Sequence, residues 1–121
     1  MKRLPRLAPL RGFLEPALAR GGKTHTFEDV VNAVITGDMQ LWHTKRGAAV
    51  TQIIDHPRKR VLFWFLAGGE LEQVLDFQQS IRAFGRANGC EAMMLAGRKG
   101  WARALIDHGW QSSGVVMEAA L

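Results

Sequence analysis

The residues of this chain that could do chemistry gather in three places. Ala67-Gly68-Gly69-Glu70-Leu71 joins six successive apolar residues, Val61 to Leu66, to an amphipathic stretch. Adjacent glycines let the backbone approach a ligand closely, and the amides and dipole at a helix start attract an anion. Glu70 and Glu72 work against this, because carboxylates in a first turn favour the helix and repel a bound anion. As plain structure, the same residues make a tight strand-to-helix turn. A second group, Arg98, Lys99 and Arg103, surrounds the start of a later helix and suits a phosphate, a nucleic-acid backbone, an acidic partner or simply solvent. The third is the N-terminal stretch with Lys2, Arg3, Arg6 and Arg11, which could contact a polyanion or serve as a solvated basic tail.

Cys90 is the single cysteine, which excludes an intramolecular disulfide and a multi-cysteine metal site. It opens a stretch read as a buried strand, so it reads as a small core residue rather than a nucleophile. No metal-binding set is expected.

These groups need elements to position them. Val61 to Leu66 does not alternate, which is the pattern of a strand buried on both faces. The strand is expected over Arg60–Ala67, followed by one helix of about five turns, Glu70 to Asn88. Its apolar stripe is Leu71, Val74, Leu75, Gln78, Ile81 and Phe84. Gly89 supplies a left-handed stop, and Cys90–Ala96 is the next strand, parallel to the first. Upstream, Leu10 to Arg20 reads as a short helix closed by Gly21-Gly22, with Pro16 better suited to a first turn than an interior. Thr26 with Asp29 is a capping-box variant that starts a helix carrying Phe27, Val30, Val31, Val34 and Ile35 to Gly37.

Short strands Met39–His43 and Ala48–Ile54 then lead into Arg60–Ala67 as an antiparallel meander. Downstream, a helix Trp101–His108 closes at Gly109, and Val115–Met117 reads as a last strand. The expected order is ααβββαβαβ, an α/β (α+β) mixed sheet with helices on both faces.

The chain has 121 residues, of which 47% are hydrophobic, enough for one domain with a core of its own. Its charge of +5 is uneven. Residues 1–23 hold six basic residues and one acid, while the remainder holds ten of each. The division drawn is a basic N-terminal arm with a short helix, residues 1–23, and a neutral domain, residues 24–121. Neutrality argues against a dedicated nucleic-acid-binding domain. Pro5, Arg6, Pro9 and Arg11 interrupt any apolar run near the start, so no secretion signal and no membrane span is expected.

The strand and helix order over residues 24–121 resembles the GNAT-type N-acetyltransferases. Gly100-Trp-Ala-Arg-Ala-Leu-Ile-Asp-His-Gly-Trp110 is similar to the segment in which those enzymes have a helix ending in Tyr-x-x-x-Gly-Phe. More narrowly, Met39-Gln-Leu-Trp42, Leu66-Ala-Gly-Gly-Glu-Leu71 and Gly97-Arg-Lys-Gly-Trp101 resemble small GNAT-like proteins of tailed bacteriophages, some of them acyltransferases and others internal virion proteins. The resemblance implies acetyl-coenzyme A, with its pyrophosphate on the amides of Ala67, Gly68, Gly69, Glu70 and Leu71.

The chain departs from the pattern in two ways. The family's Arg/Gln-x-x-Gly-x-Gly/Ala loop is shortened and has no basic residue. The tyrosine that protonates the leaving thiolate aligns with Leu105, and the chain has no tyrosine at all. His108 or Cys90 are substitutes by type only, and Glu70, Glu91 or His43 could act as a general base. Two functions follow. One is an interaction scaffold in a virion, partnered by other phage virion proteins or, through the arm, nucleic acid. The other is a coenzyme A-dependent N-acyltransferase. The departures favour the scaffold.

Overall fold

A computed structural model describes residues 10–20, 24–96 and 99–121. The elements are α1 (Arg11–Arg20), α2 (Phe27–Thr36), β1 (Gln40–His43), β2 (Gly47–His56), β3 (Lys59–Gly69), α3 (Leu71–Asp76), α4 (Gln78–Ala87), β4 (Ala92–Leu95) and α5 (Lys99–Leu105), followed by a 3₁₀ turn, Ile106–His108. The strands form one sheet in the order β1-β2-β3-β4. The meander pairs antiparallel as expected, and β4 lies parallel to β3, from Val61↔Ala92 to Trp64↔Leu95.

Two cores flank the sheet. Leu10, with Leu14 and Leu18 of α1, joins Phe27 and Val30 of α2, Met39, Ala48, Val50 and Leu66 on one face. Leu62, Trp64, Val74, Phe77 and Ile81 fill the other, flanked by Trp42, Trp101 and Trp110. Leu14, Leu62 and Ile81 are fully buried. Each such side chain contributes on the order of 1.5–3 kcal/mol relative to an exposed one.

The start signal at Thr26 is realised. The Thr26 amide donates to Asp29 Oδ2 at 2.8 Å, and the Asp29 amide donates to Thr26 Oγ1 at 3.1 Å. The shorter Asp side chain therefore does reach back. Gly37 ends α2 at φ +87. These hydrogen bonds hold the Asp29 carboxyl below its usual range, the Thr26 backbone amide being the larger cause. A depressed folded-state pKa adds stability that is complete above the unfolded value and lost as pH falls through the folded one. Thr26→Ala is expected to cost about 1 kcal/mol in urea unfolding at neutral pH. Part of that difference should fade in acid, as Asp29 takes up a proton in the wild type.

Four expectations need correction. Pro16 lies inside α1 rather than in its first turn. Both Pro16 and Gly12, whose carbonyl the missing amide would have bonded, are exposed, so water can serve that carbonyl. The long helix is two, interrupted at Phe77 with φ −94 and ψ 7. The break lets the consecutive residues Phe77 and Gln78 both be buried, and Gln78 Oε1 accepts a 2.8 Å bond from Trp110 Nε1.

Cys90 does not open a strand. It is half-buried, and its amide closes α4 on the Gly85 carbonyl at 2.8 Å. The Gly89 amide bonds Arg86 and Gly89 sits at φ +77, the glycine-ended C-cap anticipated there. Finally, Val115–Met117 forms no strand. Residues 110–121 carry no regular structure, because strand propensity without a neighbouring ladder does not make a strand. The Gly21-Gly22 stop lies outside the described residues.

Candidate functional site

β3 carries a bulge. Val50 pairs with Leu66 and Thr51 with Trp64, so Phe65 is the extra residue. An extra residue flips the side-chain alternation. Leu62 and Trp64 therefore face α4, whereas Leu66 faces α1 and α2. The bulge falls one residue past Trp64↔Leu95, the last pair joining β3 to β4. Beyond the unpaired Phe65, from Leu66 to Gly69, β3 is paired to β2 alone among the described residues. The parallel strands thus part after Trp64, and the stretch of β3 without a β4 pair runs to the start of α3.

At that start the two glycines are explained by the fold. A Cβ on Gly68 would strike the Phe13 carbonyl of α1. One on Gly69, at φ +101, would strike the Arg46 carbonyl and stand 2.6 Å from Gly47 Cα. The Glu70 amide is also spent, donating to the Arg46 carbonyl at 3.0 Å. Gln73 and Val74 donate to the Glu70 carbonyl, and Glu70 makes no side-chain cap, which leaves the Leu71 and Glu72 amides without a backbone acceptor among the described residues. Of the five expected cofactor contacts, Ala67 lies on the open edge, Gly68 and Gly69 serve packing, and Leu71 keeps its amide.

A basic side chain from another part of the chain stands beside this turn. Arg46, in the β1–β2 turn, places Nη1 3.8 Å from Glu70 Oε1. Both side chains are more than half exposed, so the pair itself contributes little stability. Its effect is to set an exposed guanidinium beside the helix start and offset one of the two carboxylates. In the sequence, Lys45-Arg46-Gly47 reads as a turn between two short strands. Its charge was visible, but its proximity to residue 70 was not.

The register also sorts the titratable candidates. His43 pairs with Ala48, and Ala48 with Gly68, so His43 ends the same row as the glycines. Glu91 and Cys90 precede β4, at the opposite end, where the Glu91 amide bonds the Arg60 carbonyl. Burial pushes the Cys90 thiol up against the pull of Arg60, so it is not an activated nucleophile. Leu105 is buried and His108 is exposed.

His25, which sequence reasoning passed over, packs edge-on against Phe65 with ring centroids 4.6 Å apart. Its Nδ1 lies 2.7 Å from Thr24 Oγ1. It lines a groove of about 740 Å³ between α1 and α2, together with Arg11, Glu15, Phe27 and Glu28.

Of the basic groups, Arg11 is already engaged. Arg11 Nε lies 2.9 Å from Glu15 Oε1, Nη1 lies 3.5 Å from Glu28 Oε2, and the guanidinium sits over the Phe27 ring. Arg103 is exposed on α5, and Lys99 begins that helix. Lys2, Arg3, Arg6 and Arg98 lie outside the described residues. Among the described residues there is no cluster of metal-binding side chains, and no helix is long and apolar enough to cross a membrane.

No protein-family profile and no curated protein matches the chain. Solved structures do. An acetyltransferase of Trypanosoma brucei is 11% identical, with a TM-score of 0.72 over 99% of this chain and 96% of that one. A predicted acetyltransferase of Clostridium acetobutylicum, solved with acetyl-coenzyme A, is 10% identical with a TM-score of 0.70, covering 98% and 92%. The aminoglycoside N-acetyltransferase AAC(6')-Iy, in complex with coenzyme A, is 14% identical with a TM-score of 0.69, covering 99% and 96%. At such identities the likeness is one of fold. The chain has the GNAT-like acetyltransferase fold, a mixed sheet with helices on both faces.

Proposed function

We propose that the protein is an acyl-coenzyme A-dependent N-acyltransferase, the observation carrying this being the parting of β3 from β4 at the Phe65 bulge. An unpaired strand edge inside a sheet suits an extended ligand arm bearing amides, and the helix start beyond it suits an anionic end. Acyl-coenzyme A has both, and its thioester would supply the activated acyl group. The backbone of Phe65 to Ala67 would hold the arm. The Leu71 and Glu72 amides would hold the pyrophosphate, with the Arg46 side chain turning from Glu70 to join them. The groove between α1 and α2 is lined by His25, whose ring packs on Phe65, and the acyl acceptor would approach the bulge from that side. His25 is the group on that side suited to taking a proton from an amine.

A second reading, a non-catalytic scaffold in a virion or another assembly, draws on Glu70, Glu72 and the absent tyrosine. Isothermal titration with acetyl-coenzyme A separates the two. The acyltransferase reading expects saturable binding. Arg46→Glu should weaken it at least about tenfold, the scale of one lost charge-assisted hydrogen bond, and Glu72→Gln should tighten it. No saturable heat at millimolar ligand would leave the scaffold. Equal affinity in the wild type and Arg46→Glu would move the pyrophosphate elsewhere.

A further inference from the structure

The charge of residues 24–121 sums to zero, but it is polarised. Ten basic and ten acidic residues balance over that span, yet Asp55 to Arg60 alone hold three basic residues and one acid. These six residues are the turn end of the β2–β3 hairpin, and all six are exposed. β1 pairs with β2 no further than Thr51, and β4 pairs with β3 no earlier than Val61. Among the described residues, 55–60 therefore extend past both neighbouring strands as a two-stranded ribbon. We propose that this ribbon binds duplex DNA, with Arg58 and Lys59 on the phosphates.

The base of the ribbon is fixed while its tip keeps its charge. Asp55 and Arg60 stand opposite each other in register, and Arg60 Nε and Nη2 donate to the Asp55 carboxylate at 2.6 and 3.2 Å. Arg60 Nη1 also donates to the Asn88 carbonyl at 2.9 Å, and the Arg60 carbonyl accepts from the Glu91 amide at 2.8 Å. The ribbon is thus tied to the end of α4 and to the segment before β4. Arg58 and Lys59 make no ion pair among the described residues. Arg86, exposed in the last turn of α4, adds a third cation at this end, and the exposed Glu91 opposes it.

Shape and composition select DNA from among the partners that a basic surface attracts. Three residues a side rise roughly 10 Å, and the major groove of B-DNA, about 12 Å wide and about 8.5 Å deep, admits a two-stranded ribbon. The deep, narrow major groove of duplex RNA does not. An acidic protein partner would need an apolar anchor at the centre of the contact, and a membrane would need apolar side chains to enter the acyl boundary. Residues 55–60 offer neither, since Pro57 is their single apolar side chain. Arg58 and Arg86 present planar guanidinium groups, which match phosphate oxygens two at a time.

Fluorescence anisotropy of a labelled DNA duplex of about 20 base pairs, titrated with the full chain between about 50 and about 200 mM salt, tests this. Binding should be saturable and weaken steeply as salt rises. Replacing both tip cations, Arg58→Gln with Lys59→Gln, should weaken it roughly thirtyfold near 0.1 M salt and lower the salt slope by about two, one for each lost phosphate contact. Both side chains are exposed at a turn, so the circular dichroism spectrum and the urea midpoint should not move. An RNA duplex of the same sequence should bind more weakly than the DNA. The proposal is overturned by a wild type that shows no salt-dependent binding, or by an unchanged affinity and slope in the double variant. It is equally overturned if the loss appears only when Lys2, Arg3 and Arg6 are replaced, which would put the contact on the N-terminal arm. Equal or tighter binding of the RNA duplex would move the site to RNA, and equal or tighter binding of polyglutamate would move it to an acidic protein; either result overturns the assignment to DNA.

Discussion

Gly69→Val is expected to cost about 3–5 kcal/mol of stability, a large share of the roughly 5–15 kcal/mol that holds a typical domain folded. Two causes add. Gly69 sits at φ +101, a region that a β-branched side chain enters only under strain. Its new Cβ would also meet the Arg46 carbonyl and Gly47 Cα, which are backbone atoms that cannot rotate aside as the tip of a flexible side chain can. Those atoms are further pinned by the Glu70 amide on the Arg46 carbonyl and by the Gly47↔Gly69 strand pair.

Urea unfolding of the wild type and variant measures the loss. A difference under about 1 kcal/mol, the centre of the range for ordinary substitutions, would show that the turn relaxes around the side chain. Gly68→Ala isolates the steric part, since its conflict is with the Phe13 backbone of α1 and not with its own φ. The result also bears on function. Loss of coenzyme A binding in a Gly69 variant would report the fold, which is why Arg46 and Glu72 are the positions to test.

Leu62→Ala is expected to cost about 3–5 kcal/mol, at the upper end for such truncations. Leu62 is fully buried in the central strand, between Ile53 of β2 and Met93 of β4 in register. Across from it α4 presents Gly85, so close that a Cβ there would stand 3.2 Å from Leu62 Cδ2. The helix is seated directly on this side chain. With backbone on the sheet side and a glycine on the helix side, few side chains can swing in to refill the space. A cavity therefore persists, and its cost adds to the lost transfer energy. Ile106→Ala is the control: at 60% exposure it should change stability by no more than about 0.5 kcal/mol. A Leu62→Ala loss near the control value would mean that α4 closes onto the sheet.

By itself the sequence determined the elements that local chemistry can specify. Thr26, Asp29 and Gly37 bound α2 because caps are made within a few residues of themselves. The unbroken apolar run from Val61 announced a strand covered on both faces, and the helical crossover after it required a parallel partner. These signals, with the strand order, were enough for the GNAT-like fold.

Only the tertiary structure decided what the central turn is for. Gly68 answers to Phe13, 55 positions earlier, and Gly69 to Arg46, 23 positions earlier, and no local pattern encodes such distances. The Phe65 bulge was equally hidden. Where every residue from Val61 to Leu66 is apolar, a flip of faces leaves no trace in the alternation. Arg46 beside Glu70, and His43 in the row of Gly68 while Cys90 and Glu91 fall at the far end, follow from strand register. Register depends on how the hydrophobic patterns and turns of two segments match, and a run that is apolar throughout leaves little of that match to read in either segment alone. The tail shows the limit from the other side: Val115 to Met117 carry a strand's propensity, but a strand exists only where a second edge meets it.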